Sequence, residues 1–323
     1  MRKCLASIVG AALVSLASGA ALAQGAYPSR QVHILVPYPA GGGVDVVTRT
    51  LGEELSKQWG QGVVVENRAG AGGTIASRAV ASAEPDGYTL IVVASGHATN
   101  PFLYPKLPYD TFKDFTAITL LGSSPNILLV KADSPFKTVG DVLAEARAKP
   151  GSLSYAMAGV GTSTHLAGEL LKYMAKVDIP VVAYRGGAPA INDLIGGHIP
   201  MSFNNAPEAL PQLSGGTVRA LGVTTAKRSP FLADVPTIAE AGVPGYDTAV
   251  WWALLGPGSM PADVVAKLSR DCNAALQSDS VKDRLTKLGA TPEGGTPQQL
   301  EQLIRAEYEK WGPIIKAVGI RAE

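Results

Sequence analysis

Val32-His33-Ile34-Leu35-Val36-Pro37-Tyr38-Pro39-Ala40-Gly41-Gly42-Gly43-Val44-Asp45 is the stretch from which the fold is read. Its first five residues are mostly β-branched or apolar and read as a short buried strand. Pro37 and Pro39 stop the strand, and three glycines let the backbone turn where a Cβ would clash. Asp45 opens a helical pattern in which Val47, Leu51, Leu55 and Trp59 recur every four residues. Strand, glycine loop and helix in that order put bare backbone N–H groups at a helix N-terminus, on the carboxyl edge of a sheet. That is a ready anion site, or else a tight turn with no ligand. No Lys followed by Ser or Thr trails the glycines, which argues against a nucleotide phosphate loop.

The same pattern recurs along the chain. Val63 to Glu66 is a second strand, and Asn67 to Gly73 a second glycine loop feeding a helix from Thr74. Gly70-x-Gly72-Gly73 matches only part of a dinucleotide fingerprint and follows the wrong strand for one. Tyr88 to Ala94 reads as a third strand, ending in Ser95-Gly96-His97. Strands alternating with helices predict an α/β fold with a parallel sheet covered on both faces. Further on, Leu153 to Ala156 runs into Gly159-Val160-Gly161-Thr162-Ser163 and a helix carrying His165, so a second βα series has its own glycine loop. Apolar runs at Thr116–Leu121 and Ile127–Val130 are separated by Gly122 to Asn126, a candidate crossing between two lobes. Tyr246 to Leu255, with Trp251 and Trp252, is a candidate crossing back. Lobe one is then 24–124 with 251–323, and lobe two 125–250.

Composition narrows the class. Arg2 and Lys3 precede an apolar, small-residue stretch, and Ala21-Leu22-Ala23 fits a cleavage site, so residues 1–23 read as an export signal with the mature chain starting at Gln24. Of the 323 residues, 300 remain, enough for two lobes. Cys4 leaves with the signal and Cys272 stands alone, so no internal disulfide forms; export without disulfides suits a bacterial periplasm. Loss of Arg2 and Lys3 takes the formal charge from +1 to −1. A near-neutral chain without a basic tract offers no footing for nucleic acid or anionic membranes.

Reactive chemistry is sparse. Ser163 and His165, and likewise Ser95 and His97, lie two residues apart, so their side chains diverge, and no Gly-x-Ser-x-Gly elbow is present. Four histidines are scattered without metal-ligand spacing. The chain offers glycine loops, hydroxyls and amides at strand ends, which favours binding over catalysis, with no metal and no cofactor. Each candidate also has a structural reading. Thr162, Ser163 and Thr164 cap a helix or touch ligand; Ser95 closes a turn or does the same. Arg68 and Arg185 pair a carboxylate or are solvated; Asn204 and Asn205 are caps or contacts; Trp251 is core or a stacking wall.

At these residues a family comes into view. Pro37-Tyr38-Pro39-Ala40-Gly41-Gly42-Gly43-x-Asp45, Glu66-Asn67-Arg68-x-Gly70-Ala71-Gly72-Gly73, Gly161-Thr162-Ser163-x-His165 and Tyr184-Arg185-Gly186-Gly187 resemble the solute receptors of tripartite tricarboxylate transporters, the Bug receptors. Pro85-Asp86-Gly87-Tyr88, Lys106-Leu107-Pro108-Tyr109-Asp110 and Asp234-Val235-Pro236-Thr237 extend the likeness over the mature chain. The resemblance implies a two-lobed periplasmic binding protein of type II topology with the ligand cleft between lobes, acting as a monomer that hands a small carboxylate to integral membrane transporter subunits. It implies a receptor and not an enzyme, although presentation of the ligand to a sensor kinase, or a secreted α/β hydrolase, are the competing functions. Binding residues carried over are Tyr38, Ala40, Gly41, Gly42, Asp45, Gly72, Thr74, Ser95, His97, Gly161, Thr162, Ser163 and His165, with Arg185, Asn204 and Trp251 added. The family commonly has Asp where this chain has Asn204, which points away from an amino acid and toward a di- or tricarboxylate or an aromatic acid. Gly42→Val is expected to abolish binding by blocking both the turn and the ligand, and Arg68→Ala to cost least.

Overall fold

The computed structural model describes residues 27–322, so the segment read as an export signal lies outside the described residues. The chain runs β1 (Val32–Val36), α1 (Gly43–Trp59), β2 (Val63–Asn67), a 3₁₀ turn (Ala71–Gly73), α2 (Thr74–Ala81), β3 (Thr89–Ala94), α3 (Gly96–Leu103) and β4 (Phe115–Lys131). It continues through α4 (Val139–Ala148), β5 (Tyr155–Met157), α5 (Ser163–Ala175), β6 (Val181–Ala183), α6 (Gly187–Gly196), β7 (Met201–Asn205), α7 (Ala206–Ser214) and β8 (Val218–Val223). β9 (Ala249–Pro257), α8 (Ala262–Leu276), α9 (Asp279–Lys287), β10 (Thr291–Pro292) and α10 (Pro297–Val318) complete it.

The alternation read from the sequence produces two βα series, each built on parallel pairs. β1 pairs in parallel with β2 and β3, and β5 in parallel with β6 and β7. The strand order is β2-β1-β3-β9-β4-β7-β5-β6, with β8 and β10 attached to β4. The expectation of a wholly parallel sheet is corrected at its centre. β9 is antiparallel to both β3 and β4, and β4 is antiparallel to β7 and β8. No βα crossover joins these strands, so the rule that makes consecutive strands parallel does not act on them.

At Gly122 to Asn126, the candidate crossing, the chain does not leave the strand. β4 is one strand of 17 residues, and what changes is its partner: Phe115 to Pro125 pair with β9, then Asn126 to Val130 with β7. The polar residues inside the strand bond to neighbouring segments. Ser124 Oγ donates to the Gly289 carbonyl at 2.9 Å, and the Asn126 N–H donates to Thr224 Oγ1 at 2.9 Å. Gly122 lies so close to β10 that a Cβ would collide with the Thr291 carbonyl.

Packing follows the apolar spacing. In α1, Val44, Val47, Leu51 and Leu55 are buried on the face that meets Val32, Ile34 and Val36. Full burial of each leucine contributes roughly 2 kcal/mol. At the far end, Trp59 Nε1 donates to Asp271 at 2.7 Å and ties α1 to α8. α10 starts on a Thr296–Gln299 capping box and spans two cores. Its Leu300 and Ile304 pack with Val93 and Trp251, while Trp311, Ile314 and Ile315 pack with Leu166, Tyr155 and Phe203. No described helix is long and apolar enough to cross a membrane.

Candidate functional site

The two βα series direct their loops into one cleft of about 290 Å³. From one side come Tyr38, Gly42, Gly43, Gly72, Ser95 and Gly96; from the other, Gly161, Thr162, Ser163, Gly186, Gly187 and Asn205. β9 supplies the wall with Val250 and Trp252. Five of these residues are the N-caps of α1, α3, α5, α6 and α7: Gly42, Ser95, Thr162, Gly186 and Asn205. Five helix N-termini therefore converge on one cavity. Only Thr162 closes its helix with a side-chain hydrogen bond; the other four caps leave their first N–H groups without one. No Lys, Arg or His is among the described residues of the lining, and its one acidic side chain is Glu208. The electrostatics are those of an anion site built from backbone, with the helix dipoles supplying the positive charge.

The two glycine loops flanking the cleft are held by the same device. Asp45 Oδ2 accepts the Gly41 N–H at 2.9 Å, and His165 Nδ1 accepts the Gly161 N–H at 3.1 Å. In each case the side chain reaches back four residues from the first helical turn. Burial alone would raise the Asp45 pKa, but hydrogen bonds from Arg49, Gly41 and Asn67 outweigh it and hold the carboxylate below its ordinary range. Burial lowers the pKa of His165, against the opposing pull of Glu169, so its ring is neutral and Nδ1 is free to accept. Asp45 and His165 are thus loop anchors and not lining residues, and they withdraw the Gly41 and Gly161 N–H groups from any ligand.

Other expected contacts are also displaced. His97 turns away from the cleft. Its ring lies 4.8 Å from that of Phe115, edge to face, and neither ring nitrogen has a hydrogen-bond partner. Burial pushes its pKa down to about 4; the Thr111 backbone, too poorly aligned to be a hydrogen bond, opposes this weakly. It faces a larger outer groove of about 860 Å³ rimmed by Arg270 and Glu301, which contains none of the glycine loops. Trp251 is buried in the core beside Ile91 and Val93, and its neighbour Trp252 faces the cleft instead, because successive residues of a strand point to opposite faces. The same parity separates Asn204 from Asn205. Asn204 is buried, accepting from Ser202 Oγ at 2.6 Å and donating to the Gly187 carbonyl at 3.1 Å, so it secures the start of α6. Thr74 is buried beneath its loop, while Ala40, Gly41 and Arg185 are exposed and outside the lining. Arg68 is likewise outside it, paired with Glu66 at 2.7 Å.

Gly42 itself is in an extended conformation, φ −75, so the turn does not require glycine there and the expected block of the turn by Gly42→Val is withdrawn. Positions that do need glycine include Gly41, φ +84, and Gly72, φ +60, where a Cβ would also overlap Tyr104 Oη. Ser163 Oγ sits between the amide oxygens of Asn126 at 3.1 Å and Asn205 at 3.2 Å. A hydroxyl has one proton, so one of these amides turns its NH₂ toward Ser163. Asn126 already donates to the Ser163 carbonyl at 3.4 Å, which leaves Asn205 as the amide that turns. Asn205 reads from the sequence as a cap or a contact beside Asn204, whereas Trp252, Glu208 and the Gly186–Gly187 pair were not among the expected contacts. The last had a visible signal, a strand followed by Gly-Gly and a helix-starting proline at Pro189.

Residues 47–320 match the family model described as tripartite tricarboxylate transporter family receptor. Among curated relatives, BugT of Bordetella pertussis is 32% identical over 319 residues, covering 98% of each chain. A Pseudomonas sp. (strain P51) protein from the tcbD-tcbE intergenic region is 41% identical over 291 residues, covering 90% of this chain and 87% of the relative. Among solved structures, an R. palustris protein with adipate superposes with a TM-score of 0.83 at 40% identity, covering 91% of this chain and 99% of that one. MatC from Rhodopseudomonas palustris with bound malate gives 0.78 at 37% identity, covering 90% and 100%.

Proposed function

Because the chain belongs to the receptor family of the tripartite tricarboxylate transporters, we propose that it captures a small carboxylate in the cleft between its lobes and delivers it in the periplasm to membrane subunits of such a transporter. The observation that carries this reading is the convergence of five helix N-termini on a cavity with no cationic side chain among its described lining residues. Each terminus stabilises an adjacent anion by roughly 0.3–2 kcal/mol. A single hydrogen bond to a charged group is worth about 1.5–3 kcal/mol, so several termini together match or exceed one arginine. The cavity has about the volume of ten liquid waters at roughly 30 Å³ each, which suits a di- or tricarboxylate or a small aromatic acid. Adipate and malate, the acids bound in the two solved relatives, are of this class.

In this reading Gly42, Gly43, Gly96, Ser163 and Gly187 offer backbone N–H groups, and Tyr38, Ser95, Thr162, Ser163 and Asn205 offer side-chain polar atoms. Trp252 packs against the start of α1, where its Cζ2 lies 3.5 Å from the position a Gly43 Cβ would take, and walls the apolar part of the ligand. The lobes are residues 24–124 with 251–323, and 125–250, and they close about the points where β4 changes partner at Pro125–Asn126 and β9 enters at Ala249.

A thermal-shift screen of small carboxylates against the chain without residues 1–23 tests the ligand class, since binding to the native state raises its stability by mass action. A shift with adipate or malate supports the reading. Shifts with none of the mono-, di- and tricarboxylates overturn it. Scattering curves with and without saturating acid test the closure, which requires a smaller radius of gyration in the complex.

A further inference from the structure

Glu208 is the acidic side chain in a cleft otherwise arranged for anions. It is the third residue of α7, and its side chain leans on the start of α6, where a Cβ at Gly187 would lie 3.1 Å from Glu208 Cδ. Its Oε2 is buried and has no hydrogen-bond partner. No counter-ion reaches it among the described residues. The remaining titratable groups of the lining are Tyr38 and Tyr104, whose pKa values burial pushes up, so both are neutral. The helix starts that line the same cleft contribute uncharged groups: Gly186 and Gly187 at α6, Ser163 at α5, Gly42 and Gly43 at α1, Ser95 and Gly96 at α3. Burial raises the Glu208 pKa above its ordinary value, against the opposing pull of its own backbone N–H and of the helix starts beside it.

A bound acid brings a second carboxylate into the same cavity. Two carboxylates that share a desolvated site do not both stay ionised; one of them takes a proton. We propose that Glu208 takes it, and that in the complex the Glu208 carboxyl is a neutral acid donating its O–H to the ligand's carboxylate. The proton comes from solvent as the ligand enters, and no bond to carbon is made or broken. Glu208 is then a specificity residue: it selects acids without a basic nitrogen and couples capture to proton uptake. The opposite pairing, a ligand ammonium against ionised Glu208, would set a positive charge among five helix N-termini whose dipoles disfavour it. This inference rests on the carboxylate reading of the cleft.

The test is a carbon-13 titration of the Glu208 carboxyl, assigned by its disappearance in Glu208→Gln, with the ligand-free protein and with adipate. It is joined by calorimetric titrations of adipate, malate and L-glutamate at several pH values and in buffers of different ionisation enthalpy. The expected result is a carboxyl that titrates above the range of free glutamate and moves higher with adipate. Between its free and bound pKa values, adipate affinity then falls tenfold per pH unit, with one proton taken up. Glu208→Gln, which keeps a donor and cannot ionise, removes that pH dependence. A carboxyl that titrates in the ordinary range, or binding of L-glutamate alone that is lost in Glu208→Gln, overturns the proposal. A carboxyl that titrates high in a protein that none of the three probes perturbs would sink the ligand class and leave the neutral Glu208 standing, so the two failures read differently.

Discussion

Asn205→Asp adds one negative charge to the cleft with almost no change of shape. Asn205 is the N-cap of α7, and its side-chain amide lies 3.2 Å from Ser163 Oγ at the start of α5. A ligand carboxylate that accepts from the first N–H groups of α5 at roughly 3 Å lies about 5 Å from the new charge. At an effective dielectric of about 20, two unit charges 5 Å apart repel by about 3 kcal/mol, which raises the dissociation constant by about two orders of magnitude. The helix itself loses nothing. Asn205 makes no side-chain cap bond that Asp would lose, the Ser163 hydroxyl can donate to the new carboxylate in place of the amide contact, and the charge at the N-terminus adds roughly 0.3–1 kcal/mol. The expected outcome therefore has opposite signs: stability equal or higher in thermal unfolding, and affinity for adipate or malate lower by about a hundredfold in calorimetry. General damage to the fold lowers both together. Affinity kept within about threefold, in a variant that is as stable as the parent, would refute the argument that the cleft holds its ligand by potential.

Four further outcomes follow from the same geometry. Asp45→Ala removes a carboxylate with three partners and should cost about 2–3 kcal/mol in chemical denaturation; because the native pKa is depressed, this stability is present above the unfolded value and fades as pH falls through the native one, so parent and variant should converge in acid. Gly72→Ala meets both a positive φ and Tyr104, and should lower stability by roughly 1 kcal/mol or more together with a loss of affinity, read by thermal unfolding and calorimetry on the same sample. His97 is neutral when folded, with a pKa depressed from 6.5 to about 4, so the protein should lose up to about 3 kcal/mol as pH falls through that interval, and His97→Phe should flatten the loss in a series of denaturant melts. Arg68→Ala breaks an exposed pair with Glu66 outside the cleft and should change affinity by less than about twofold.

The elements of this fold were legible because their signals are local. Apolar spacing marks α1, the Thr138 and Thr296 capping boxes mark the starts of α4 and α10, and the glycine loops mark the strand ends. The site was legible as loops and less so as residues. Trp251 and Asn204 each lie one position from a residue that lines the cleft, because which side of a strand faces a cleft depends on the register of its neighbours, here Trp252 opposite Ala94 and Asn205 opposite Asn126. Asp45 and His165 sit where a contact would be expected, but their side chains are spent on the glycine loops, a bond between residues four apart that composition does not reveal. The continuity of β4 through Gly122 to Asn126 was not visible, because Ser124 and Asn126 look like loop residues; their polar groups bond to loop and strand-end partners more than ninety positions away in the chain. Glu208 carries no pattern at all, since the lack of a cation among the described lining residues is a property of the assembled cleft and not of the residues beside it in sequence.

The central claim is that backbone N–H groups at converging helix starts hold a carboxylate, and amide NMR reads those groups directly. Nitrogen-15 spectra of the chain without residues 1–23 would be followed during titration with adipate and then malate. The account predicts saturable shifts that are largest at Gly43, Gly96, Ser163 and Gly187, with smaller ones at Gly41 and Gly161, whose N–H groups Asp45 and His165 already occupy. Shifts centred on the outer groove around His97, or on Arg68 and Arg185 with those four amides unmoved, would contradict it.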